Sequence, residues 1–410
     1  MIQKFEFTNR ARTTILAISG LGLLMVIIGI FVHGGLNTRF WANFLLSNFY
    51  FTLISAASTA WIAINYVANA GWSVSVKRIT EAISGYLPIG AAAMAILVIA
   101  SFLGDHSGLY AIYEWLHLDK EGFLHHEGGH KVFDEILHGK SGFLNLTFFL
   151  VRMAIYFGIW IFFRTLLRNF SLREDKEVSL TNHNNSIRTS AVFLPLFALS
   201  FCLACYDWAM SIEPHWYSTI YAVNIFAGAL VSHFIITAIV AAIMQRNGYM
   251  EWINDSHFHD LGKFIFGFSI FWTYTWVSQF LLIWYANLPE ETIYYLRRMK
   301  GGWFYVFFAN LFINFVTPLL ALMTRDAKRN ASYLITVGGI MLCGRFIDWY
   351  LLIMPGSAAL VHQAGFGLYE IGFFLLFGGV FAFSVATRLA SANLVPLGHP
   401  YLEESLHHDI

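Results

Sequence analysis

Ten stretches of roughly 20 or more predominantly apolar residues run through this chain, and each is long enough to cross the ~30 Å hydrocarbon core of a bilayer as a helix. A lipid-buried segment must satisfy its backbone N–H and C=O groups internally, so these stretches commit the chain to membrane-spanning helices. They fall at about 14–36, 41–69, 82–104, 143–167, 188–212, 216–244, 263–286, 302–323, 333–354 and 364–387. Of 410 residues, 57% are apolar and only 12% charged, which excludes a soluble globular domain of this length. The expected fold class is an all-α polytopic membrane protein of about ten transmembrane helices. Most connections are short and none is of low complexity, so residues 1–410 read as one continuous domain.

Lys4, Arg10 and Arg12 precede the first stretch in the manner of a signal peptide. That stretch is too long for a cleaved segment and no small-x-small site follows it, so it reads as a retained anchor. An even number of spans puts both termini on one side. Connections on that side hold about 16 Lys and Arg, among them Lys77, Arg78 and Arg173. The opposite connections hold about 7, namely Arg39, Lys120, Lys131, Lys140, Arg297, Arg298 and Lys300. The positive-inside bias then predicts that both termini are cytoplasmic. A net charge of zero leaves no electrostatic footprint for nucleic acid.

Two connections stand out. The outer one, about 105–142, is rich in histidine and acidic residues, and its segment Leu109–Leu116 reads as a short interfacial helix. His126 and His130 have i,i+4 spacing beside Glu127, which permits metal binding in principle but lacks a third convergent ligand. The favoured reading of this loop is a polar face that docks onto an outer-side partner. On the other side, Arg173-Glu174-Asp175-Lys176-Glu177 reads as a solvated charged loop. Cys202, Cys205 and Cys343 lie within apolar stretches and form no haem-attachment signature, so they read as packing residues.

Against this apolar background the run Gly344-Arg345-Phe346-Ile347-Asp348-Trp349-Tyr350 is the sharpest signal. Arg345 and Asp348 share one helix face in a segment where each charge costs roughly 2.5–3.5 kcal/mol on insertion scales. Arg152 is the other arginine inside an apolar stretch, Asp207 lies in the outer third of the fifth, Glu213 and His215 flank Pro214 at its rim, and His233 lies near mid-membrane. Together these residues would line a proton path, since Asp, Glu and His with intervening water make up such relays. Structural roles are equally open. Asp207 and Glu213 would satisfy backbone groups at the turn, Arg345 and Asp348 would form an ion pair, and His233 would make a packing hydrogen bond. Asn310, Asn314 and Gln279 read as interhelical hydrogen-bond partners. Trp272, Trp276, Phe280 and Trp284 form a packing or lipid-facing ridge, with the wall of a quinone cleft as the other reading. Only His233 is placed for an intramembrane haem, and three scattered cysteines do not supply iron–sulfur ligation. No redox cofactor of the chain's own is expected.

Longer strings carry a resemblance. They are Lys140-Ser141-Gly142-Phe143-Leu144-Asn145 leading to Phe148-Phe149-Leu150-Val151-Arg152, Tyr206-Asp207-Trp208-Ala209-Met210-Ser211-Ile212-Glu213-Pro214-His215-Trp216-Tyr217-Ser218-Thr219, and His259-Asp260-Leu261-Gly262-Lys263. Gln279-Phe280-Leu281-Leu282-Ile283-Trp284-Tyr285-Ala286-Asn287-Leu288-Pro289-Glu290-Glu291 and Arg345-Phe346-Ile347-Asp348 complete the set. In these the chain resembles the NrfD/PsrC-like integral membrane subunits of bacterial alternative complex III, a quinol:cytochrome c oxidoreductase, and in particular the second of its two such subunits. The resemblance implies two four-helix bundles, about 41–212 and 216–354, with peripheral helices at about 14–36 and 364–387. It implies menaquinol or another quinol as the substrate of the complex, and haem c and iron–sulfur clusters in partner subunits. Those partners would be a sister NrfD-like membrane subunit, an outer-side iron–sulfur subunit and c-type cytochrome subunits, with a terminal oxidase as a further candidate, all in or on the bacterial cytoplasmic (inner) membrane among its lipids. In that family the better-supported quinol site belongs to the sister subunit, while this subunit is expected to supply proton-conducting half-paths or conformational coupling. A quinone pocket is a further expectation for it, and it would not be catalytic alone.

A secondary transporter for a proton-coupled solute is the alternative. Transporters often break corresponding helices in two repeated halves, and Pro88 and Pro195 are candidates here, but the sequence shows no matching pair in the later half.

Overall fold

The computed structural model describes residues 3–104, 107–125, 131–176, 180–357 and 364–409. Ten of its helical segments are long and apolar enough to cross a membrane, and the chain is an all-α multi-pass membrane protein. The first two spans are α1 (Asn9–Val32) and α2 (Thr38–Val67). The third is divided. A 3-10 turn over Trp72–Val76 leads into α3 (Lys77–Ser84), and after Gly85 and Tyr86 the chain resumes as α4 (Leu87–Ala100) with Pro88 in its first turn. Proline lacks the N–H that a continuous helix would donate to the Ser84 carbonyl, and its fixed φ suits a first helical turn, so the break falls just ahead of Pro88, at Gly85 and Tyr86.

A loop follows that carries the antiparallel strands β1 (Phe123–His125) and β2 (Lys131–Phe133) and the short α5 (Glu135–Lys140). Spans four to seven are α6 (Leu146–Glu174), α7 (Leu180–Trp208), α8 (Ile220–Arg246) and α9 (Asp255–Ala286). A short α10 (Pro289–Arg298) precedes the eighth span, which consists of α11 (Trp303–Leu311), a π-helical turn over Phe312–Val316 and α12 (Thr317–Ala321). After α13 (Arg325–Arg329) come α14 (Ala331–Ile353) and α15 (Leu368–Ala390), spans nine and ten, and a last short helix α16 (Leu402–Leu406). Asparagine caps set several of these starts. Side chains of Asn145, Asn254 and Asn330 accept backbone N–H groups of Phe148, of Ser256 and His257, and of Tyr333.

The most apolar window of α2 is wholly buried, and α2 packs against α3, α4, α7, α8 and α15. With α6 paired to α7 and touching α4, these helices make a first bundle; α8, α9, the eighth span and α14 make a second. The two bundles meet where α8 lies against α2 and α7. Outside them, α1 packs on α15, which leans on α2 and α3. Both chain ends lie at one end of the assembly, where Lys4 bridges to Asn393.

The structure corrects two readings of the connections. Leu109–Leu116 is not a regular helix: it is a series of turns ending in a 3-10 segment over Glu114–His117. Leu109, Tyr113 and Trp115 are buried in the core, and the Tyr113 hydroxyl donates to the Trp208 carbonyl at 2.9 Å, so the segment plugs the bundle. The stretch Arg173–Lys176 is not a solvated loop either, because α6 runs to Glu174 and that carboxylate is fully buried. His126, Glu127 and His130 lie outside the described residues.

Helix α1 approaches α15 closely at glycines. A Cβ on Gly22 would stand 2.4 Å from the Leu376 nitrogen and 2.6 Å from the Gly372 oxygen. Gly22→Leu is expected to separate the two helices and cost about 1–3 kcal/mol. A lowered midpoint of detergent-induced unfolding in mixed micelles would show this; an unchanged midpoint would show that the close approach contributes nothing.

Candidate functional site

Within the second bundle, α14 buries Arg345 and Asp348 completely, with Arg345 Nη1 3.9 Å from Asp348 Oδ2. The carboxylate has further partners: Trp272 Nε1 donates to Oδ2 at 3.0 Å and Asn310 Nδ2 donates to Oδ1 at 3.0 Å. Asn314 Nδ2 in turn donates to Asn310 Oδ1 at 2.5 Å and to the Gly344 carbonyl at 2.8 Å. The guanidinium lies over the Trp272 ring at 4.2 Å and donates from Nη2 to the Asn314 carbonyl at 3.1 Å. That carbonyl is free for a local reason. Its donor in a regular α-helix would be the N–H four residues on, and that residue is Pro318, which has none. The π-turn and the proline thus present a backbone acceptor at the level of the arginine.

The centre is incompletely satisfied. Arg345 Nε and Nη1 and Trp349 Nε1 are buried without a hydrogen-bond partner. Two of them face the small space at Gly228, where a Cβ would stand 3.5 Å from Trp349 Nε1 and 3.6 Å from Arg345 Nη1. A cavity of about 20 Å³ adjoins the other side of the carboxylate, lined by Asp348, Asn310, Gln279, Asn224, Tyr294 and Arg298 among others. Its wall is mixed, with these polar groups beside Trp276, Phe307 and Leu351, and it has room for about one water.

This cavity reaches a second cluster. Glu213, in the turn between α7 and α8, is buried between Arg297 Nη1, which donates to Oε1 at 3.0 Å, and Arg298 Nη2, which donates to Oε2 at 2.7 Å. Arg298 also donates to the Leu351 and Leu352 carbonyls at 2.9 and 3.1 Å, capping the end of α14. Its guanidinium lies 3.4 Å over Tyr294, which stacks on Trp216 at 3.8 Å. Burial acts to lower the Arg298 pKa, but the adjacent Glu213 outweighs it, and the value is raised.

The remaining candidates lie apart. Arg152 grips Asp207 with two hydrogen bonds of 2.8 Å, the Tyr156 hydroxyl donates to Asp207 Oδ2 at 2.7 Å, and Phe143 and Phe148 cover the guanidinium at 3.8 and 4.3 Å. His215 precedes α8 on the surface, its Nε2 2.6 Å from Asp134 Oδ2. His233 Nδ1 lies 2.7 Å from Ser58 Oγ, whose hydroxyl donates to the Ile54 carbonyl; that arrangement makes Nδ1 the donor and leaves Nε2 buried without a partner. The candidate residues therefore fall into separate clusters, and no hydrogen bond or ion pair among the described residues joins one cluster to another. Only the cavity brings Asp348 and the partner of Glu213 to common walls. The aromatic ridge divides likewise: Trp272 is fully buried against the centre, Trp276 lines the cavity, and Trp284 is exposed.

Two clusters went unread in the sequence. At the end that holds the termini, Lys77, Arg78 and Glu81 of α3 are buried, although the first two read as loop charges. Arg78 pairs with Glu81 at 2.8 Å and Asp175 at 2.5 Å, Arg168 pairs with Glu81, and Lys77 donates to the Tyr66 hydroxyl at 2.6 Å. A cavity of about 30 Å³ opens beside them, lined by Tyr66, Lys77, His183, His399 and Tyr401 among others, and His183 has no partner on either ring nitrogen. Burial, with Lys77 and His183 nearby, pushes the His399 imidazole down to about 2, so it is neutral. Hydropathy gave no sign of this cluster because its charges fall at the margin of the apolar stretches. At the opposite end Glu370 is fully buried against Arg39, with bonds of 2.9 and 2.9 Å, and Asn43 at 2.9 Å. A lone acid within the last apolar stretch was the available signal.

No protein-family model matches the chain, and no curated protein sequence matches it. Fold and site define a class: a multi-pass helical membrane protein with a buried, partly satisfied Arg–Asp centre between charged clusters at both ends.

Removing Arg152 would strand a buried carboxylate. Arg152→Gln is expected to cost about 3–5 kcal/mol in stability, and the joint change Arg152→Met with Asp207→Leu much less, as read by thermal unfolding in detergent. At the other end, an unfolded chain takes up a proton at His399 near pH 6.5 that the folded one refuses until about pH 2. Stability should therefore fall as pH drops below about 6.5, by up to about 1.4 kcal/mol per pH unit, and His399→Gln should flatten that slope in parallel titrations.

Proposed function

We propose that this chain is a cofactor-free membrane subunit of a quinol-oxidising respiratory complex of the alternative complex III type, and that its centre at Arg345 and Asp348 takes part in moving protons. The observation that carries the reading is the state of the centre. Asp207, Glu213 and Glu370 are each gripped by arginine at 2.7–3.0 Å, whereas Asp348 is 3.9 Å from Arg345 and takes its hydrogen bonds from neutral Trp272 and Asn310. A carboxylate held that loosely, beside a cavity of water size, is a group whose proton occupancy can change. The sequence strings around Asp207, Glu213 and Arg345 supply the family part of the reading. With it come a sister membrane subunit, iron–sulfur and c-type cytochrome partners that carry the electrons from quinol, a bacterial inner membrane and cytoplasmic termini.

On this reading, protons exchange between Asp348 and the outer face through the cavity toward Arg298 and Glu213. Burial of the His183 and Lys77 cluster supports a separate half-path from the cytoplasmic side, with His233 and Ser58 at the seam between the bundles.

A second reading has an observation of its own. The third span breaks at Pro88 and the eighth departs from α-geometry over Phe312–Val316 ahead of Pro318, so each bundle holds one irregular helix. This favours a secondary transporter more than the sequence did, although the two breaks are not at corresponding places in the halves.

Affinity purification from native membranes in mild detergent separates the two. Co-purifying haem c with quinol:cytochrome c reductase activity supports the respiratory subunit, and a haem-free, inactive homomer favours the transporter. Within an active complex, Asp348→Asn should lower the proton-to-electron stoichiometry while assembly persists; an unaltered stoichiometry removes Asp348 from the mechanism. Gly228→Ala should lower it as well by filling the space beside Arg345, with stability unchanged or raised by up to about 1 kcal/mol.

A further inference from the structure

Charge at the end that holds the termini does not balance. Five cations, Lys77, Arg78, Arg164, Arg168 and Arg388, stand around α3 against three carboxylates, Glu81, Glu174 and Asp175. Each carboxylate faces a cation of this group: Glu174 faces Lys77 at 3.7 Å, Asp175 holds Arg78, and Glu81 is shared by Arg78 and Arg168 through one oxygen. Arg164 and Arg388 are left over. Neither has a carboxylate within 4 Å among the described residues, and the one side-chain bond of Arg164 runs from Nε to Ser84 Oγ at 3.3 Å. Yet Arg164 is buried, only 7% exposed, and Arg388 and Arg168 both act on it as like charges, against Glu81 alone as an opposite one beyond ion-pair distance. A buried guanidinium pressed by its own kind calls for an anion.

The two side chains converge on one place. A Cβ on Gly85 would stand 3.2 Å from Arg164 Nη2 and 2.9 Å from Arg388 Cγ. Gly85 lies at the break between α3 and α4, and having no side chain of its own it lets the Arg388 stem and the Arg164 fork pack against its backbone. Further along the same helices toward the membrane interior, Ile89 of α4 and Phe162 of α6 are exposed apolar residues, 36% and 58% accessible. The arrangement is cationic at the end of the spans and apolar just inside them.

We propose that Arg164 and Arg388, which meet over Gly85, bind the phosphate of an anionic phospholipid whose acyl chains lie along α4 and α6. Guanidinium forks match phosphate oxygens, and basic pockets between spans are suited to acidic head groups. Inorganic phosphate shares the head-group chemistry but has no acyl chains to lie on Ile89 and Phe162. A zwitterionic lipid brings a cation of its own into a pocket that already has too many. The inference needs only the membrane-spanning fold and is independent of the respiratory reading.

The test is lipid binding to the purified full chain in detergent, followed by native mass spectrometry and by thermal unfolding, with phosphatidylglycerol, phosphatidylcholine or inorganic phosphate added. Phosphatidylglycerol should remain bound and raise the unfolding temperature, while phosphatidylcholine and phosphate do neither. Arg388→Gln, at an exposed position that leaves folding intact, should weaken phosphatidylglycerol about five-fold, and adding Arg164→Gln should abolish the effect. Because Arg164 is buried, the single Arg388 variant carries the test if the double variant does not fold. Equal retention of phosphatidylcholine, or undiminished binding by Arg388→Gln, would overturn the proposal. Protection by inorganic phosphate equal to that by phosphatidylglycerol would replace the lipid with a soluble anion and overturn it as well.

Discussion

One backbone carbonyl ties the second bundle together. Pro318 deprives Asn314 of its helical donor, the widened turn over Phe312–Val316 turns that carbonyl toward α14, and Arg345 takes it. Around that bond, Asn314 reaches both Asn310 and the Gly344 carbonyl, and Asn310 holds Asp348. Gly344 is required by the same geometry, since a Cβ there would stand 2.4 Å from Ile313 Cγ2. In hydrocarbon an orphaned carbonyl and an unpaired guanidinium are each expensive, and here each defect satisfies the other. The irregular helix is thus the means by which an arginine is held in the middle of an apolar bundle.

The same constraint sorts the other charges. Asp207, Glu213 and Glu370 meet arginines with short bonds on both oxygens, and each cluster fastens one end of the molecule: Arg152 ties α6 to α7, Arg298 ties α10 to α14, and Arg39 ties α2 to α15. Such pairs hold geometry. Asp348 differs in having neutral donors, a distant arginine and neighbouring polar atoms without partners. The contrast within one chain is a stronger argument than the burial of any single group, because all four carboxylates are buried and only Asp348 lacks a close arginine.

Spans were legible because lipid leaves only one solution for an apolar stretch of about 20 residues; the limits of α2 match within a few residues, whereas α9 starts eight residues before its apolar stretch. The pairing of Arg345 with Asp348 was legible from i,i+3 spacing. Which clusters the polar residues would join was not, because that depends on helix rotation and on partners far away in sequence. Arg152 and Asp207 are 55 residues apart, and Arg39 and Glu370 are 331 apart. Asn310 and Asn314 read as glue and prove to be the ligands of the centre, a role set by a proline whose consequence is felt at the carbonyl four residues earlier. The charges of α3 were misread for a different reason. Counting Lys77 and Arg78 as loop cations treats the end of an apolar stretch as the end of burial, and here the helix packs on beyond it.

That last point bears on how the bias of positive charge is to be understood. Lys77, Arg78 and Arg298 enter a Lys and Arg census as loop charges, yet each is buried and neutralised by a named carboxylate. They report on packing, not on attraction to a membrane surface. Arg164 and Arg388 remain as cations of the terminal end with no carboxylate within 4 Å among the described residues, and both pack over Gly85 at the break in the third span. If an anionic head group supplies that counter-charge, as proposed, the composition of the surrounding lipids becomes part of the energetics of the fold.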